Sequence, residues 1–325
     1  MRKLISLALA LVMILSLSTV AFAEEVTYAN SDATTFNTIV KTYNSENNVQ
    51  VSETLSFTSI PDDDNPATTN LSVNNLTVSN GLNNLPITVN IPSYSKAGVY
   101  KYTIQETPGS VAGVTYTNSV IRVVVMIEYN QDAKKLVIGN LNSYILKIDG
   151  EKTNEFVNTF KSGSFSVAKK VTGNMANQND EFEITVTLTA PEGKTIAAPI
   201  KVGSQTVTAD QWTNGKYTTT LKLSHADGAT TFSDIPVGVT VTVSENTADD
   251  KMNGYTQVSI KNGESDFTTL TVADDTNAAI VVTNDKATSV DTGISMDSMP
   301  YVLLLAVATM GLAVLFTKKR MMREF

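Results

Sequence analysis

Alternation of apolar and polar positions dominates the interior of this chain. The segments "GVYKYTIQE", "RVVVMIEY", "FEITVTLTA", "YTTTLKLS" and "GVTVTVSE" repeat with a period of two, are rich in β-branched residues, and are bounded by turn residues. Helical periodicity is nearly absent between the two ends. The pattern predicts an all-β protein made of sandwiches, with one face of each strand buried. Alternation also assigns the faces. Tyr100, Tyr102, Ile104 and Glu106 share one, Val239, Val241, Val243 and Glu245 a second, and Ile280, Val282 and Asn284 a third. In "NEFVNTFKSGSFSVAKKVTG", Phe156, Asn158 and Phe160 lie together, as do Phe165, Val167 and Lys169. Carboxylates, amides and an amine are thus aimed where a core expects aliphatic groups.

The set occurs twice in the same order. Lys41, Glu106 and Asn158 are followed by Lys169, Glu245 and Asn284, in similar local contexts such as "GVYKYTIQE" and "GVTVTVSE". Lys41 and Asn158 are 117 positions apart, and Lys169 and Asn284 are 115 apart. Only Ile39 supports an inward direction for Lys41, and Lys170 is a rival to Lys169 that alternation turns outward. An isolated buried charge costs several kcal/mol unless it pairs or neutralises. Desolvation lowers a lysine pKa and raises a glutamate pKa, which favours a neutral amine. Such an amine can attack an asparagine side-chain carbonyl while the glutamate shuttles the proton and ammonia leaves. The product is a Lys–Asn isopeptide bond, with Glu106 and Glu245 assisting. The alternative is a buried Lys–Glu salt bridge with the asparagine as a hydrogen-bond partner. Duplication of the whole set favours the covalent reading.

The ends have a different character. "MRKLISLALALVMILSLSTVAFA" (residues 1–23) has a cationic start, an apolar run and an A-x-A close, the pattern of a secretory signal peptide. The run "MPYVLLLAVATMGLAVLF" (299–316) precedes Lys318, Lys319 and Arg320 and reads as a transmembrane segment with a cytoplasmic tail. The chain is acidic, with 32 Asp+Glu against 24 Lys+Arg, which argues against nucleic-acid binding. It has no cysteine and one histidine, His225, in the loop-like "LSHADG". That composition disfavours a Ser-His-Asp hydrolase or a histidine-rich metal site, and "PDDDNP" reads as a solvated turn. We therefore expect no cofactor, no metal, and no enzymatic activity beyond self-processing.

From about Phe36 to the tail, these features resemble the major shaft (backbone) pilins of Gram-positive bacteria, in particular the streptococcal type. "FSVAKKVTG" and "IPVGVTVTVSE" are close to that family's patterns. The resemblance implies two tandem Cna-B-type immunoglobulin-like β-sandwiches, at 24–161 and 162–286, each closed by a Lys–Asn isopeptide bond. It also implies a sorting region over 287–325, where "SVDTG" is similar to a sortase signal. Thr292 would be the acyl donor and Gly293 the leaving side, with Asp291 standing where proline is usual. In the resembled pilins an exposed lysine shortly before the first domain's asparagine receives the next subunit. Lys152 occupies that place, with Lys147 as runner-up. The implied partners are a sortase, copies of the same chain joined head to tail, minor pilins, cell-wall peptidoglycan and a host surface. The implied location is a cell-wall pilus, with the precursor held in the plasma membrane by its C-terminal helix. The alternative function is a sortase-anchored adhesin or minor pilin that binds host matrix; the compact, two-copy chain favours the shaft.

Overall fold

The computed structural model describes residues 27–45, 48–79, 84–146, 152–288 and 299–321. The expected signal peptide, Lys147, Asp291, Thr292 and Gly293 lie outside the described residues. Four sheets form two pairs. In the first half, one sheet runs in the order Ser72–Val73, Leu85–Ile91, Thr34–Ser45, Glu155–Phe160, Val114–Thr115. The facing sheet runs Lys152–Thr153, Lys135–Leu146, Val120–Asn130, Gly98–Thr107, Glu53–Pro61, Leu76–Val78. In the second half, a seven-stranded sheet has Ser162–Thr172 and Asn277–Asp285 side by side at its centre. A four-stranded sheet with Phe182–Thr189 and Thr240–Glu245 in the middle completes the second sandwich.

These strands form where the sequence alternates. Phe182–Thr189 buries Phe182, Ile184, Val186 and Leu188 and turns Glu183, Thr185, Thr187 and Thr189 outward. On the outer face, Thr187 and Thr218 lie opposite each other with hydroxyls 3.2 Å apart, a stabilising cross-strand pair. The turn into Lys216–Leu223 is Asn214-Gly215, both at left-handed φ (51° and 71°), as a tight two-residue turn requires. Each sandwich has its own apolar core. The first includes Ile39, Tyr43, Ile104, Val123, Phe156 and Phe160, drawn from both sheets. The second includes Phe165 stacked on Phe232, with ring centroids 4.6 Å apart.

In each half the first and last strands are neighbours and run parallel. Thr34–Ser45 pairs with Glu155–Phe160, and Ser162–Thr172 pairs with Asn277–Asp285. Only one residue, Lys161, lies between the last strand of the first sandwich and the first strand of the second. The halves are also tied by backbone. Ala112 N–H donates to the Thr195 carbonyl at 2.8 Å, Thr195 N–H to the Ser110 carbonyl at 2.9 Å, and Ser52 N–H to the Ala197 carbonyl at 3.0 Å. Ala197 and Ala198, from a loop of the second half, pack into the core of the first.

At the C-terminus, Met299–Met321 is a 23-residue helix whose large apolar side chains from Tyr301 to Phe316 are exposed. No helix among the described residues is long and apolar enough to cross a membrane. The transmembrane segment expected over 299–316 is therefore corrected to an exposed apolar helix.

Gly113 fixes the approach of the two halves. It adopts φ +77°, and a Cβ there would lie 2.6 Å from the Lys161 carbonyl and 3.1 Å from Pro236 Cβ. Gly113→Ala combines a disfavoured φ with a backbone clash and is expected to destabilise by about 1–3 kcal/mol. The check is the urea midpoint of the purified chain, and an unshifted midpoint contradicts the assignment.

Candidate functional site

Two buried polar clusters occupy equivalent places in the two sandwiches. In the first half, alternation along Thr34–Ser45 buries Ile39, Lys41 and Tyr43 on one face, and Lys41 is 0 % exposed. Glu155–Phe160 buries Phe156, Asn158 and Phe160. The register sets Lys41 opposite Phe156 and Tyr43 opposite Asn158, so the lysine and the asparagine stand one step apart on adjacent strands. Glu106 comes from the facing sheet, as the last inward residue of Gly98–Thr107. The second half repeats the register: Lys169 lies opposite Val282, Val171 opposite Asn284, and Glu245 closes Thr240–Glu245 from the facing sheet. The structure thus brings together all six residues that the strand pattern singled out. Lys170, the rival, is exposed.

In the first cluster Glu106 bridges the other two. Lys41 Nζ donates to Glu106 Oε2 at 2.6 Å, and Asn158 Nδ2 donates to Glu106 Oε1 at 2.6 Å. Asn158 Oδ1 accepts the Thr117 backbone N–H at 2.9 Å. In the second cluster both donors converge on one oxygen: Lys169 Nζ and Asn284 Nδ2 donate to Glu245 Oε1, the latter at 2.9 Å. Glu245 Oε2 and Asn284 Oδ1 are buried there without a hydrogen-bond partner. Lys169 Nζ also lies 4.1 Å from the centroid of the Phe182 ring.

Burial pushes both lysines below their ordinary pKa. For Lys41 the loss of hydration outweighs the hydrogen bond and charge of Glu106 and the more distant charges of Glu53 and Glu155. For Lys169 it outweighs the hydrogen bond and charge of Glu245. An amine made easier to deprotonate, a carboxylate bridging it to an amide nitrogen, and a dry surround are the parts needed for amide transfer.

Several participants lay beyond the strand pattern. Tyr43 and Tyr116 donate to the two oxygens of Glu53, each at 2.8 Å, and this trio flanks the first cluster. Tyr43 was accessible in principle, since it alternates in phase with Lys41, but the Thr117 N–H is a backbone group with no sequence signal. His225 is half-buried, and its Nδ1 accepts the Val171 N–H at 3.2 Å, so it is a structural acceptor beside the second cluster rather than a solvated loop residue. Lys152 lies in a two-residue strand at the edge of its sheet, paired with Leu146.

Comparison with known families matches residues 24–161 to the Spy0128-like isopeptide containing domain and residues 163–286 to a domain of unknown function, DUF7601. No curated protein matches the chain. Among solved structures, the major pilin from Streptococcus pyogenes is similar in fold, with a TM-score of 0.52 and 23 % identity over 80 % of this chain and 100 % of that one. The T3.2 major pilin of the same species gives 0.50 and 21 % over 78 % and 99 %.

The depressed lysine predicts a pH dependence. With Asn284→Ala, Lys169 stays an amine. Its folded pKa lies below the ordinary 10.5, so between those two values the unfolded chain binds more protons. Stability of the second sandwich then rises with pH across that window and falls as pH drops through it. Urea midpoints of Asn284→Ala measured against Lys169→Met with Asn284→Ala check this; identical slopes in the two variants contradict it.

Proposed function

We propose that this chain, whose residues 24–161 belong to the Spy0128-like isopeptide containing domain family, is the structural shaft subunit of a Gram-positive pilus. Each sandwich is closed by an isopeptide bond, Lys41–Asn158 in the first and Lys169–Asn284 in the second. The observation that carries the reading is the repeated register: twice, a buried lysine and asparagine stand one step apart on parallel first and last strands, beneath a glutamate from the facing sheet.

The chemistry follows the contacts. The lysine passes a proton to the glutamate, and its neutral Nζ attacks the asparagine Cγ, moving the carbonyl electron pair onto Oδ1. The glutamate delivers its proton to Nδ2 and takes one from Nζ. Collapse of the intermediate restores the carbonyl and expels ammonia. No electrons are gained or lost, and a buried ion pair is exchanged for a neutral amide and a protonated carboxyl. In the first cluster, Glu106 already contacts both nitrogens through separate oxygens, so the relay needs little motion.

The position of the bond explains its use. When the chain is pulled from both ends, parallel first and last strands are loaded in shear. A covalent tie between them carries the force past more than a hundred intervening residues. By analogy with a disulfide across a loop of that length, each tie adds roughly 4–5 kcal/mol, in a chain without cysteine.

Assembly rests on the sequence. A sortase cleaves between Thr292 and Gly293, holds Thr292 as a thioester, and transfers it to Lys152 of the next subunit. The growing fibre receives minor pilins and is joined to cell-wall peptidoglycan at the surface. Lys152 closes the turn-like "DGEK" and its backbone lies in a two-residue strand at the edge of its sheet, a position that supports its role as acceptor.

Two measurements test the reading. The intact mature chain is expected to weigh about 34 Da less than its sequence, two molecules of ammonia, with tryptic peptides joined at Lys41–Asn158 and Lys169–Asn284. An unaltered mass contradicts both bonds. Lys152→Ala is expected to abolish the high-mass ladder on a denaturing gel while leaving the internal bonds, and a full ladder would reassign the acceptor.

A further inference from the structure

The two clusters are matched in their lysine, glutamate and asparagine, but they differ at the asparagine carbonyl oxygen. That atom carries negative charge in any attack on Cγ. In the first cluster Asn158 Oδ1 accepts the Thr117 N–H at 2.9 Å, within the range of a preorganised oxyanion donor. In the second, Asn284 Oδ1 has no partner. The Asn158 amide cannot be reversed at no cost. Turning Nδ2 toward Thr117 would oppose two donors, and Oδ1 would then face the Glu106 carboxylate.

The difference follows from the strands beside each asparagine. The outer neighbour of Glu155–Phe160 is the two-residue strand Val114–Thr115, which pairs only with Thr159 and Phe160. The chain then leaves the ladder, and the Thr117 N–H turns to the Asn158 side chain. The outer neighbour of Asn277–Asp285 is the longer strand Thr256–Asn262, which shifts register between Gln257 and Ser259 but continues to pair on both sides of the asparagine, Gln257 opposite Asn284 and Thr256 opposite Asp285. The donor segment is also anchored. Tyr116 Oη donates to Glu53 Oε2 at 2.8 Å and accepts the Val111 N–H at 3.0 Å. Glu53 Oε1 accepts from Tyr43, the residue opposite Asn158. Thr117 Oγ1 accepts the Ser119 N–H at 3.1 Å. A side chain at Gly109 would strike this anchor, since its Cβ would lie 2.5 Å from Tyr116 Oη.

We infer that the Thr117 backbone N–H is the oxyanion donor for closure of the first sandwich, held in place by Tyr116 on Glu53, and that the second sandwich closes without such a donor. Tyr116 and Glu53 are positioning residues, because they touch none of the reacting atoms. The inference rests on the isopeptide reading above and makes the two bonds kinetically unequal: Lys41 and Asn158 join under electrostatic assistance that Lys169 and Asn284 lack.

The test is Thr117→Pro, which removes the N–H, in the full chain. Open and closed tryptic peptides of both sandwiches are quantified by mass spectrometry from the earliest recoverable time after synthesis. Closure of the first sandwich is expected to slow by roughly 10²–10³-fold, the effect of losing one oxyanion donor, while the second serves as the internal clock. Thr117→Ala keeps the N–H and loses only the hydroxyl, and is expected to close at least tenfold faster than Thr117→Pro. Trypsin resistance of the first sandwich reports folding in the same samples. Where Thr117→Pro fails to fold, Tyr116→Phe decides: slowed closure of the first bond alone supports the inference, and parental closure overturns it. Parental closure in a folded Thr117→Pro chain also overturns it. Absence of both bonds from the parent chain instead refutes the isopeptide reading itself.

Discussion

An amine stripped of water between two sheets is the constraint around which each sandwich is organised. Lys41 and Lys169 reach the core because strand alternation gives them no other direction, and each finds there one carboxylate and one amide. A buried pair of this kind returns little net stability, since the loss of hydration offsets most of the attraction, and removing one partner costs about 3–5 kcal/mol. The sheets must therefore hold three side chains in mutual contact. They do so by making the first and last strands parallel neighbours and by bringing the glutamate from the facing sheet.

That arrangement links folding to load-bearing. Parallel pairing of the first and last strands of each sandwich joins segments more than a hundred residues apart and so carries a high loop-closure cost. It is also the pairing that tension on the two ends would shear. The bond proposed for each sandwich would tie this costly pairing where tension loads it. The joint between the halves continues the same path: a single residue separates the two sandwiches, and backbone bonds from Ser110, Ala112 and Ser52 to the 195–197 loop brace it.

The two halves share the lysine–glutamate–asparagine set and differ in what surrounds it. The first cluster is flanked by a tyrosine–glutamate–tyrosine anchor and a turned-in backbone N–H. The second has an aromatic ring under the lysine and a histidine accepting from the neighbouring strand. Equivalent side chains thus sit in different fields, because the strand edges and loops beside them differ in length.

The strands, their faces and the six polar residues aimed inward were legible in the amino-acid sequence. A period of two is a local property, and it places Phe156, Asn158 and Phe160 on one face regardless of what lies opposite. The pairing itself was decided only by the tertiary structure: which strands adjoin, that Lys41 is one step from Asn158, and that Glu106 reaches both. Register depends on contacts between residues far apart in the chain, which periodicity does not encode. The same holds for Thr117, whose contribution is a backbone N–H indistinguishable in sequence from any other until a short edge strand ends beside Asn158. His225 reads as a loop residue because its partner, the Val171 N–H, is 54 positions away. At the C-terminus the apolar run specified a helix, and its large apolar side chains stay exposed because no other element of the described residues packs against them.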